Sequence, residues 1–165
     1  EGNVFTKAEI DDIEGVKVHD LHPQVLGDFL SNHIAKGGRI LGHNIISFDL
    51  PVLRESIDCW AAGDILSKKE SIIDTKILFS KSSLSYGNLQ TSLNDLAKYN
   101  LGATKLMKSE DAPTAWREGK HQEVIEYCLK DTQLTYDLYM LGKENSMLKS
   151  RCMDTGDIKE VILEW

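Results

Sequence analysis

Two short segments carry the side chains best suited to chemistry. The first runs Arg39-Ile-Leu-Gly-His43-Asn44-Ile-Ile-Ser-Phe48-Asp49-Leu-Pro-Val-Leu53. It reads as a short apolar strand, a small polar turn closing on a carboxylate, and a helix opening with a proline. An acidic side chain at the carboxyl end of a buried strand is where α/β proteins usually place a site. The second is Glu126-Tyr127-Cys-Leu-Lys-Asp131-Thr, inside a long helical pattern. Tyr127 and Asp131 are four residues apart, so they project from one helix face a turn from each other. A phenol and a carboxylate on a core-facing helix are expensive to bury without partners. Either they bond to local backbone or they serve a site.

The elements that must position these residues follow from periodicity and punctuation. The first dozen residues, through Asp12, show neither strand alternation nor a helical stripe. Val16 to Leu21 alternates apolar and polar and reads as an edge or half-buried strand. Pro23 starts a helix with Val25, Leu26, Phe29, Leu30, His33 and Ile34 on one face, and Gly37-Gly38 closes it. His33 is expected in the core. Arg39 to Ile46 is the next strand, followed by the Asp49 turn and a helix through about Ile57. Cys59 to Glu70 reads as irregular and polar. Ile72-Ile73 forms a short strand, and Asp74-Thr75 caps a helix containing Ile77, Leu78 and Phe79.

Ser80 to Gln90 is a loop. Ser92 caps a short helix that ends at Asn100-Leu-Gly102. Lys105 to Gly119 is a polar connection carrying Trp116, a core anchor or a stacking platform. The long helix is His121 to about Leu141, with Val124, Ile125, Cys128, Leu129 and Leu138 placed to pack it onto a sheet. Met147 to Cys152 and Ile158 to Trp165 form a terminal hairpin, with Trp165 packing on it.

At 165 residues the expectation is one domain, 1–165, burying roughly 70% of its unfolded surface. A hydrophobic fraction of 41% and a charged fraction of 27% are those of a globular domain. No apolar run reaches the roughly 20 residues of a membrane span, and no signal-peptide pattern is present. The three cysteines lack close spacing, which argues against a disulfide framework or a zinc site and for a reducing, intracellular setting. The net charge of −7 speaks against non-specific binding to phosphate backbones. It does not exclude a nucleic-acid enzyme whose carboxylates await cations.

The Asn-x-x-x-Phe-Asp turn (Asn44 to Asp49) followed by the Tyr-x-x-x-Asp helix (Tyr127 to Asp131) resembles the second and third motifs of the DEDD 3′–5′ exonucleases of the ribonuclease H-like fold. Tyr127 marks the tyrosine subgroup, DEDDy. The histidine subgroup would place a His where this chain has Glu126. Gly42 to Leu53, Ile73-Asp74-Thr75 and Trp116-Arg-Glu-Gly119 extend the likeness over residues 16 to 165, closest to helicase-associated and phage-polymerase proofreading domains.

The resemblance implies an α/β fold: a ribonuclease H-like mixed sheet flanked by helices, with a C-terminal hairpin. It implies two Mg2+ or Mn2+ ions held by carboxylates over a scissile phosphodiester, one activating water and the other stabilising the leaving 3′-oxygen. Asp49 and Asp131 would be metal ligands, and Tyr127 would orient the attacking water. Asn44 and Phe48 would line the pocket for the 3′-terminal nucleotide. The partner would be a single-stranded nucleic-acid 3′ end, DNA ahead of RNA, with a helicase or polymerase associated or fused. A catalytically inactive nucleic-acid-binding module of the same fold is the alternative.

The family's first motif, Asp-x-Glu on an apolar first strand, has only Asp12-Ile-Glu14 as a counterpart, in a context that does not read as a buried strand. The expectation is a ribonuclease H-like domain without its N-terminal first strand. His43 is expected to be a satisfied structural histidine and Asp74 a helix cap.

Overall fold

The computed structural model describes residues 2–103 and 107–165. Lys105 and Leu106, the start of the polar connection, lie outside the described residues. The chain is mixed α/β, and among the described residues the strands pair as three two-stranded sheets rather than as one continuous sheet. Its internal packing defines two compact units. The first comprises Glu1–Ile40, Ile46–Ile72 and Leu106–Lys130, and the second Leu41–Ile45, Ile73–Lys105 and Asp131–Trp165.

In the first unit, β1 (Gly2–Thr6) and β2 (Val16–Asp20) pair in parallel, Gly2 opposite Val16 and Thr6 opposite Asp20. The expectation of no element before Asp12 is therefore corrected. Val4, Phe5 and Thr6 favour a strand, but Val4 and Phe5 stand side by side, so the segment shows no alternation of apolar and polar residues. Phe5 stacks on His19 at 4.7 Å between ring centroids and meets the edge of Phe29 at 5.2 Å. Helix α1 (Pro23–Ala35) begins as expected, with Pro23 in its first turn and His22 accepting from the Gln24 amide as cap. Its buried face is narrower than the apolar pattern suggests. Leu26 and Gly27 are buried, while Val25, Phe29 and His33 are exposed. His33 is not a core residue: its Nε2 donates to the Arg39 carbonyl over 3.2 Å.

Helix α2 (Asp49–Ser56) and α1 both pack against α3 (Trp60–Ser67). That third helix corrects the reading of 59–70 as irregular. Ala61, Ala62 and Ile65 are buried on it, but small residues and Gly63 gave it a weak apolar stripe. The Trp60 indole fills the space above Gly27, where an added Cβ would lie 2.7 Å from Trp60 Nε1. Strand β3 (Ile40–Gly42) pairs with β4 (Ile72–Asp74), and three helices follow: α4 spans Thr75–Ser82, α5 spans Leu93–Leu101, and α6 spans Ala112–Arg117. Residues 112–117 of the polar connection are thus helical. Trp116 on α6 is 37% exposed and tilts against His121 at 4.4 Å, so it is not a core anchor.

Helix α7 (His121–Asn145) is longer than its expected end near Leu141. Val124, Ile125 and Leu138 are buried as expected, whereas Cys128 is exposed. In the second unit, Leu134 and Leu138 of α7 join Phe79 of α4, Leu96 of α5 and two residues of the terminal hairpin, Leu148 and Val161, in one core. The hairpin is β5 (Met147–Arg151) and β6 (Ile158–Ile162), antiparallel with Met147 opposite Ile162. At Lys149 the outer edge of β5 is closed by a side chain, and at Arg151 by the Gln90 amide, which donates to the Arg151 carbonyl over 2.9 Å. Asn100 Nδ2 donates to the Lys149 carbonyl over 2.8 Å, and the Lys149 amide donates to Asn100 Oδ1 over 2.7 Å. Trp165 stacks on Tyr139 at 5.7 Å, as its expected packing role requires. No helix among the described residues is long and apolar enough to cross a membrane.

Candidate functional site

The expected strand through Ile46 stops at Gly42, and residues 43–48 form successive turns before α2. Gly42 is required there by space, since an added Cβ would lie 2.6 Å from the Ile45 Cβ. Asn44 has φ 71°, the left-handed region that Asn tolerates better than most residues.

This turn is fixed by the start of α4. The Asn44 amide donates to Asp74 Oδ1 over 3.0 Å. The same oxygen accepts from the amides of Lys76 and Ile77 at 3.1 and 3.3 Å. Asp74 is thus a helix cap, as expected, and also a clamp on the turn. It is only 4% exposed, and a buried carboxylate is stable where backbone N–H groups solvate it. His43 is held in the same way. Its Nε2 donates to the Thr91 carbonyl over 2.9 Å, and its Nδ1 lies 2.9 Å from Thr75 Oγ1. The single proton of that hydroxyl is shared between Nδ1 and the Gly42 carbonyl at 3.2 Å. His43 is a structural histidine. Its partners Thr75 and Thr91 carry no signal in sequence spacing that pairs them with it.

Pro51 lies within the first turn of α2, and Asp49 is its first residue. A carboxylate there is favoured by the helix dipole. Asp49 is exposed, and the preceding Phe48 is 61% exposed. Both belong to the first unit, whereas Asn44 and Asp131 belong to the second.

Tyr127 is buried in α7 at 6% exposure, and its hydroxyl lies 2.9 Å from Ser109 Oγ. The phenol thus meets a side chain 18 residues earlier in the chain. Asp131 is half-buried, and its carbonyl accepts from Thr135 Oγ1 over 2.8 Å. Asp12 and Glu14 are exposed and lie in the connection between β1 and β2, not on a strand.

Asp49 and Asp131 suit Mg2+ or Mn2+ in donor type. No group of three or more His, Cys, Asp or Glu poised for a metal occurs among the described residues. Mg2+ commonly uses one or two protein carboxylates and completes its shell with water and phosphate, so each carboxylate by itself is of a fitting donor type.

The chain matches no protein-family model, no curated protein and no solved structure.

Proposed function

We propose that this chain is a ribonuclease H-like domain of a metal-dependent 3′–5′ exonuclease, hydrolysing phosphodiester bonds at single-stranded nucleic-acid ends. The observation that carries the reading is the clamped His43-Asn44 turn. Two motif segments distant in sequence, His43-Asn44 and Asp74-Thr75, are joined by two hydrogen bonds of 2.9 and 3.0 Å; Thr75 Oγ1 also donates to the Gly42 carbonyl over 3.2 Å, and His43 is anchored to the Thr91 carbonyl over 2.9 Å. A buried aspartate spent on holding a turn points to a turn whose shape matters.

In this reading Asp49 and Asp131 hold the cations. When bound, these ions supply a lowered pKa for water and charge stabilisation for the leaving oxygen. Tyr127 orients the attacking water through its hydroxyl. Phe48 offers an apolar wall for the terminal base, and Asn44 a polar contact. DNA is proposed as substrate ahead of RNA, and a helicase or polymerase as the associated or fused partner.

A strand-binding module without catalysis is favoured by one observation: Asp12 and Glu14 are off-strand and do not supply the first motif's paired carboxylates. Parallel binding and hydrolysis measurements on the full natural chain separate the two. The exonuclease reading expects Asp131→Ala to abolish hydrolysis. The binding-module reading expects strand affinity indifferent to Asp49→Ala and to chelation, with no hydrolysis in the unaltered protein.

A further inference from the structure

We propose that Ser109 is a positioning residue for the Tyr127 hydroxyl, an inference that rests on the exonuclease reading of this chain. Ser109 stands in a turn closed by the Asp111 amide, which donates to the Lys108 carbonyl over 3.0 Å. The turn leads directly into α6, whose Pro113 lies in its first turn. The Asp111 carbonyl accepts from the amides of Thr114 and Ala115 at 3.1 and 3.0 Å, so the turn is continuous with the helix start. That anchorage presents Ser109 Oγ to Tyr127 Oη at 2.9 Å.

The pairing has a directional consequence. A phenol has one proton to donate, and it can also accept. In the arrangement the proposal requires, Ser109 donates to Tyr127 Oη and the phenolic proton is directed away from Ser109. With Ser109 absent, the buried hydroxyl of a 6% exposed Tyr127 loses that orienting donor. Ser109 itself is exposed, and the role proposed for it runs through Tyr127.

The test compares Ser109→Ala, Ser109→Thr, Tyr127→Phe and the Ser109→Ala/Tyr127→Phe double variant in the full natural chain. Steady-state hydrolysis of a single-stranded oligonucleotide is read for each. Ser109→Ala is expected to lower kcat about 5- to 10-fold with KM unchanged, the size of one lost hydrogen bond. Ser109→Thr, which keeps the hydroxyl, is expected to restore it, and Ser109→Ala to add nothing to Tyr127→Phe. A second readout does not need activity. The 13C resonance of the Tyr127 ring carbon bearing the hydroxyl should shift in Ser109→Ala and hold in Ser109→Thr. Wild-type kcat in Ser109→Ala, a further loss in the double variant, or an unmoved Tyr127 resonance overturns the positioning role. Absence of hydrolysis in the unaltered protein, with the resonance shift present, instead contradicts the exonuclease reading and leaves the Ser109–Tyr127 hydrogen bond established.

Discussion

The Asn44 amide and the Asp74 carboxylate, 3.0 Å apart, join the turn after β3 to the first turn of α4. Because Asp74 Oδ1 also accepts from Lys76 and Ile77, one buried oxygen both caps a helix and holds a turn in the left-handed region at Asn44.

Removing that oxygen should be expensive. Asp74→Ala is expected to destabilise the protein by about 2–4 kcal/mol, combining a lost cap with a buried amide left without its acceptor. Asp74→Asn keeps an oxygen acceptor and a good capping residue, so its cost should be about 1 kcal/mol. Urea unfolding of both variants checks the order. Equal losses would mean that the carboxylate's charge, not its hydrogen-bond geometry, holds the turn.

His43 bridges Thr75 and the Thr91 carbonyl. His43→Ala is expected to cost about 1–3 kcal/mol, because it strips a donor from a partly buried carbonyl. Amide hydrogen exchange should quicken across residues 42–45 and at the start of α4. Exchange that quickens only at residue 43 would contradict the bridge.

Asn100 caps the outer edge of β5 through both polar groups of Lys149. Asn100→Ala should cost about 1 kcal/mol and raise the exchange rate of the Lys149 amide in particular. It should also increase self-association, since the uncovered edge can pair with another strand. Sedimentation of the variant against the parent protein measures this, and an unchanged Lys149 exchange rate would contradict the cap.

Cys152 is buried in the hairpin turn, where the Thr155 hydroxyl and then the Thr155 and Asp154 backbone amides hold its thiol below the ordinary range. A pKa depressed by folding contributes stability that is present above the unfolded value, roughly 8.5, and is lost as pH falls through the folded value. The unaltered protein should therefore gain stability over Cys152→Ser as pH rises through the weakly alkaline range. Thr155→Val should flatten that difference. Denaturant midpoints measured across this range that run parallel for all three proteins would contradict the assignment.

Much of this was legible in residue order. Caps such as Asp74 and Ser92 announce helix starts because their side chains answer unpaired amides at fixed offsets. The terminal hairpin is visible because two strand-like runs, Met147 to Cys152 and Ile158 to Trp165, flank the turn Asp154-Thr155-Gly156-Asp157. Two elements escaped for physical reasons. Helix α3 buries alanines, which hardly mark a face, and β1 places Val4 beside Phe5 instead of alternating apolar with polar residues. The apolar stripe of α1 also overstated burial, since Val25 and Phe29 sit at its exposed margin. At the candidate site, residue type and spacing singled out Asp49, Tyr127 and Asp131, whereas Ser109, Thr75 and Thr91 could not be paired with Tyr127 and His43. Those contacts join residues far apart in the chain, and only the fold brings them within hydrogen-bond distance.

The central claim is hydrolysis from a 3′ end, and the most direct measurement follows an oligonucleotide labelled at its 5′ end, incubated with the full natural chain and Mg2+ or Mn2+. The account predicts a ladder that shortens one nucleotide at a time from the 3′ end, stops on chelation, and is absent with Asp49→Ala and with Asp131→Ala. A folded protein that leaves the strand intact in both metals, or a ladder unchanged by Asp131→Ala, would contradict it.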